Sequence, residues 1–149
     1  MKRVVPRWIP REIVLALHER LLAEHGGAVG IRDEGLLDAA LAAPKNHFVY
    51  EQGDVFVLAA AYAYAITQNH PLIDGNKRVA LTVAGVFLEL NGHRLEAREQ
   101  DAAQATRALA ASGIDEAAFA DWLRESSSRL PPRVRDKPVK VTVRPRKKK

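Results

Sequence analysis

Residues 54–90, DVFVLAAAYAYAITQNHPLIDGNKRVALTVAGVFLEL, decide the fold, because they hold two apolar helices with a polar, charged loop between them. From Val55 to Ile66 every residue is apolar or aromatic, so no face of that helix suits water and it belongs in the middle of a bundle. Asp54 caps its start. Its end falls near His70, since Pro71 disfavours the helical conformation in the residue before it. After the loop, a second apolar helix begins near Asn76. It sets Val79, Val83, Val86, Phe87 and Leu90 at core spacing and stops at Asn91-Gly92.

Working outward, Pro10 opens an earlier helix with Ile13, Val14, Leu17, Leu21 and Leu22 on one face, and Gly26-Gly27 ends it. Asp33 caps another helix that carries Leu36, Leu37, Ala40 and Leu41 and is expected to stop at Pro44. Residues 45–53 then read as a loop, or a short hairpin through Phe48, Val49 and Tyr50. Two further helices, over 99–111 and 115–126, complete the body, with Phe119 and Trp122 as core anchors and Trp8 packing the N-terminal arm. No alternating strand is expected before residue 130. The fold class is an all-α bundle whose two most buried helices are joined by the HPLIDG loop.

The loop carries the chemistry. His70 lies at the C-terminal end of a helix, where a base is helped to accept a proton, such as one leaving an attacking hydroxyl. Gly75 lets backbone approach a ligand, and the free amides at the start of the next helix form an anion cradle. Lys77 and Arg78 oppose the dipole of that helix by about 0.3–1 kcal/mol each, a cost that a bound phosphate reverses. Asp74 supplies the single carboxylate that Mg2+ commonly takes from a protein beside phosphate oxygens. Asn76 can hold either the loop or a phosphate oxygen. Each residue alone is ordinary surface, but together within nine positions they form a phosphate-handling constellation.

Composition excludes several alternatives. With 47% hydrophobic and 28% charged residues among 149, the chain has the profile of a globular domain. It contains no cysteine, which removes disulfides, thiolate nucleophiles and the usual zinc cages. No apolar run is long enough to span a bilayer, so no membrane role and a cytoplasmic location are expected. His18, His25, His47 and His93 have no helical metal-ligand spacing and are assigned structural or solvent roles. The net charge of +5 is a property of the tail, because residues 129–149 hold ten Lys or Arg against Asp136 and leave 1–128 at −4. The expected organisation is one helical domain over 1–128 and a basic, disordered tail over 129–149. That tail could bind nucleic acid through its cations.

HPLIDGNKR resembles the signature of the Fic/Doc (Fido) family, closest to its Doc branch of toxins from toxin–antitoxin systems. The likeness spans residues 11–122, including ALHERLLAEHGG and FLELNG. It implies the Fido-type helical bundle, with 45–53 as a short flap that lays the target segment across the site, and His47, Phe48 and Tyr50 as target contacts. It implies that His70 is the general base and that Asp74 helps bind Mg2+. Gly75, Asn76, Lys77 and Arg78 would hold the phosphates of ATP.

AMP-transferring Fic enzymes read HPFxxGNGRxxR. Here Lys77 replaces their glycine and Leu81 their second arginine, which tilts the reading to phosphate transfer, as in Doc-type kinases acting on a threonine of elongation factor Tu. Leu72 stands where the family has phenylalanine and remains an apolar loop anchor. A self-inhibitory Ser/Thr-xxx-Glu-Gly/Asn helix is missing, so the resemblance implies a separate antitoxin. The competing readings are a nucleotidyl transferase and a catalytically idle binding module of the same fold.

Overall fold

The computed structural model describes residues 4–51 and 53–132. Six helices run in order: α1 (Arg11–His25), α2 (Glu34–Tyr50), α3 (Val55–Asn69), α4 (Asn76–Leu90), α5 (Glu99–Ala110) and α6 (Glu116–Glu125). Two three-residue strands, β1 (His93–Leu95) and β2 (Ser127–Arg129), complete the described part. This is the all-α bundle expected from the sequence.

The apolar sequence of α3 places it at the centre, packed against α2, α4, α5 and α6. Leu58, Tyr62, Ile66 and the intervening alanines are buried, and Tyr64 marks its one exposed flank. The small alanines let neighbouring helices approach closely, and the large side chains of α4 and α6, Phe87, Leu88, Phe119 and Leu123, fill the space between. Tyr62 is buried with its hydroxyl accepting the Ile9 N–H at 3.1 Å, which fixes the N-terminal arm to the core. Beside it Trp8 stacks on Phe87 at 5.8 Å between ring centroids. Asp54 caps α3 through the N–H groups of Phe56 and Val57, and Arg124 of α6 grips the same carboxylate at 2.8 Å. One side chain therefore starts the central helix and ties the last helix to it.

Three expectations are corrected. The second helix does not stop at Pro44; α2 continues six residues further, to Tyr50. An internal proline removes one helix hydrogen bond at a cost of about 3 kcal/mol. Here Pro44 is buried beside Ala40, and the extra turns place Phe48 edge-on to Trp8 at 5.9 Å and His47 between Glu51 and Glu116. Tertiary contacts thus outweigh the local rule. Consequently residues 45–50 of the expected loop are helical, and the hairpin through Phe48, Val49 and Tyr50 does not form.

The third correction concerns strands before residue 130. β1 and β2 pair antiparallel in the register His93↔Arg129, Arg94↔Ser128 and Leu95↔Ser127. Leu130 N–H extends the pairing to the Gly92 carbonyl at 2.9 Å. The boundary expected after Ser128 falls inside this ribbon. Residues 133–149, with most of the basic tail and its proposed nucleic-acid role, lie outside the described residues.

Candidate functional site

The junction of α3 and α4 is fixed by backbone conformation. His70 closes α3 in the left-handed region, φ 48° and ψ 55°, where histidine is tolerated better than bulky or branched residues. This turns the chain sharply into Pro71 and Leu72, both buried, before Ile73 and Asp74 return to the surface. Leu72 is 1% exposed, so the residue in the family's phenylalanine position anchors the loop. Asn76 clasps the same residue from the first turn of α4. Its Oδ1 accepts the Leu72 N–H at 3.0 Å and its Nδ2 donates to the Leu72 carbonyl at 2.9 Å. Of the two uses open to this amide, the loop takes both ends.

The segment 26–33 between α1 and α2 binds the loop from outside, a relation that sequence reading missed. Ile31 bridges Leu72, the Arg32 and Asp33 N–H groups share the Pro71 carbonyl at 2.7 and 3.1 Å, and Ile73 N–H donates to the Gly30 carbonyl at 3.0 Å. Arg32 also covers the end of α3, its Nε on the His70 carbonyl at 2.6 Å and its Nη2 on the Asn69 carbonyl at 2.8 Å. The carbonyls at the end of α3 are thus capped by a guanidinium.

His18, which was assigned a structural or solvent role, is buried, and its Nε2 sits 2.8 Å from the Asp74 carbonyl. The signal was present: His18 lies four residues from both Val14 and Leu22, the other buried positions of α1. A polar residue on a helix's buried face needs a partner, and the loop backbone supplies it.

Asp74 is held by Ala28 N–H on Oδ2 at 3.1 Å and by Gly75 N–H on Oδ1 at 2.9 Å. Gly27 makes this possible: its φ is +126°, and a Cβ there would stand 2.9 Å from Asp74 Oδ2. Each carboxylate oxygen still has a free lone pair, and Asp74 is among the residues that line the cavity. The described residues contain no cluster of three His, Asp or Glu fit to cage a metal. A divalent cation sharing its shell with phosphate and water needs only the one carboxylate, so Asp74 fits that mode.

Gly75 has φ +81° and is the N-cap of α4 without any capping side chain. Free amides of the first turn of α4 are therefore left for a ligand. His70, Asp74, Gly75, Asn76, Lys77 and Arg78 all line one cavity of about 560 Å3. Ile73 and Leu81 add apolar wall, and Ala103, Thr106 and Arg107 of α5 supply the other side. That α5 wall was not anticipated, because nothing in its sequence marks it beyond one cation on an amphipathic helix.

The flap residues do not join this cavity. His47 lies 3.0 Å from Glu51 and 3.0 Å from Glu116, and burial pushes the Glu116 carboxyl up while His47 opposes the shift. Phe48 packs on Trp8, and Tyr50 alone of the three is exposed.

The bundle thus brings a histidine, a lone carboxylate and the uncapped, cationic start of α4 together around one cavity, a set of groups that could hold an anion. Residues 8–88 match the Fic/DOC family, and the chain belongs to that family. It is 33% identical over 119 residues to the "Protein kinase doc" of Escherichia phage P1, covering 79% of this chain and 94% of that protein. It is also 43% identical over 74 residues to the "Toxin Doc" of Mycolicibacterium smegmatis, covering 48% of this chain and 57% of that protein.

Proposed function

We propose that this protein is a Doc-type toxin kinase that transfers the γ-phosphate of ATP to a hydroxyl of a translation factor, a threonine of elongation factor Tu being the expected acceptor. The observation that carries the reading is the convergence of His70, Asp74, Lys77, Arg78 and the uncapped start of α4 on a single cavity. Its size suits a nucleotide.

In this reading the cations and free amides of α4 hold the phosphate chain, and Asn76 holds the loop that aims them. His70 makes no hydrogen bond to the other described residues through its ring, which leaves the imidazole available to the acceptor hydroxyl. The ring takes the hydroxyl proton as the oxygen bonds to the γ-phosphorus. The bond from that phosphorus to the β–γ bridging oxygen breaks, and ADP leaves with the electron pair. Mg2+ bound with ATP at Asp74 would spread the charge on the phosphates. Lys77 at the position where AMP-transferring relatives have glycine, and Leu81 where they have arginine, favour γ- over α-phosphate attack.

A toxin held in check needs a partner, and a cognate antitoxin whose segment folds onto this chain is part of the proposal. The described residues include no helix long and apolar enough to cross a membrane, and a cytoplasmic site of action fits a translation factor as target. Radiolabelled ATP tests the reaction. Label from the γ-position on the target, lost with His70→Ala, is expected. Label from the α-position would instead mean AMP transfer, and a growth phenotype that survives His70→Ala would mean a binding module without catalysis.

A further inference from the structure

We infer that Arg107 of α5 is a phosphate-gripping residue that closes the nucleotide cavity from the wall facing the start of α4; the inference rests on the nucleotide reading above. Ala103, Thr106 and Arg107 are three and four residues apart, so they form one stripe on α5, and all three line the cavity. Thr106 is buried and spends its hydroxyl on the Ala102 carbonyl at 2.8 Å. Ala103 is too small to fill space. Arg107 is therefore the group on this wall with charge and reach to act on a ligand.

The charge pattern points the same way. Residues 1–128 carry a net −4, and Arg11, Arg20, Arg94, Arg98 and Arg124 each sit beside a carboxylate. Lys77, Arg78 and Arg107 have no ion-pair partner among the described residues, yet all three converge on one cavity whose single lining carboxylate is Asp74. Such a cluster repels itself until a multiply charged anion enters. Within α4 the cavity face continues from Lys77 to Leu81, one turn on, which is apolar. The helix that begins the phosphate grip cannot extend it. Arg107 extends it from the second wall, with a planar fork that suits phosphate oxygens.

The test is calorimetric titration of the full chain with ATP in Mg2+ and, separately, with tripolyphosphate, for the wild type, Arg107→Gln, Arg107→Lys and Arg98→Ala. Arg107→Gln is expected to weaken both ligands about tenfold or more, with Arg107→Lys recovering part of the loss and Arg98→Ala binding as wild type. A weaker salt dependence of binding in Arg107→Gln accompanies this result. Arg107 also sits in the last turn of α5, where a cation favours the helix end. If that is its whole role, Arg107→Gln lowers the melting temperature but binds ATP within twofold of wild type, and the inference is overturned. Wild-type protein that binds neither ligand overturns the nucleotide reading and this inference together.

Discussion

Replacing Asn76 separates a residue that shapes the loop from one that touches the ligand. Both ends of its amide are spent on Leu72, whose side chain is 1% exposed, so Asn76→Ala strands a buried N–H and a buried carbonyl. Each unsatisfied group costs about 1–3 kcal/mol, less where water can reach it. A loss of roughly 2–4 kcal/mol follows. For a domain of this size that lowers the melting temperature by roughly 4–16 °C.

Asn76→Asp keeps the acceptor for the Leu72 N–H and loses the donor to its carbonyl, so about half of that loss is expected, together with a carboxylate placed among the phosphates. His70→Ala, at an exposed side chain but a left-handed backbone position that favours histidine over alanine, is expected to lose about 0.5–1 kcal/mol, less than Asn76→Ala. Urea or thermal melts of the three variants beside ATP titrations check the ordering. An Asn76→Ala protein that melts with the wild type while losing ATP would refute the assignment, since it would make the amide a ligand contact rather than the clasp of the loop.

Three further outcomes follow from the geometry. Gly27→Ala puts a Cβ 2.9 Å from both Asp74 Oδ2 and Leu22 Cδ2 at a backbone angle alanine rarely adopts, so a loss of about 1–3 kcal/mol is expected, with Mg2+-dependent ATP binding reduced more than binding without metal; melts and paired titrations measure both. Arg32→Ala uncovers the Asn69 and His70 carbonyls and frees the left-handed turn at His70, so phosphate transfer should fall about tenfold while ATP affinity holds; equal losses in both would place Arg32 at the ligand instead. Burial, then Arg129, holds the His93 imidazole below its ordinary range, with Asp54 opposing. The folded state then binds fewer protons than the unfolded chain, so the contribution of His93 is complete above pH 6.5 and is lost as pH falls below it. Urea midpoints between pH 7.5 and 5.5 should slope less in His93→Gln, and parallel curves would remove His93 as a cause.

The central pair of helices was legible because α3 is apolar on every side and α4 on its core-facing stripe, and because Asp54, Pro71 and Gly92 punctuate them locally. The loop between them was legible for a different reason: a base, a carboxylate, a glycine and two cations stand within nine residues, so the sequence itself brings them together. What escaped notice depends on distant partners. Residues 26–33 look like an ordinary glycine-rich connection until they dock on the loop. His18 reads as one polar interruption of an apolar helix, and Arg107 as one cation among many. Pro44 misled because the local penalty is visible in sequence, whereas the Trp8 and Glu116 contacts that outweigh it are not. The Fido-type bundle was expected and is present; the short flap over 45–53 was expected as a loop or hairpin, and its residues 45–50 are helical.

The stitching of the loop has a temporal consequence. Its ties to His18, Ala28 and Arg32 span 56, 46 and 38 residues of chain, and α5 lies further on still. A growing chain therefore displays HPLIDGNKR well before the cavity has a second wall, and the earlier segment must wait for the later one before either is held. Folding that follows synthesis from the N-terminus completes such a site only once α5 has formed. A protein proposed to halt translation would then gain its activity later than its HPLIDGNKR loop first appears.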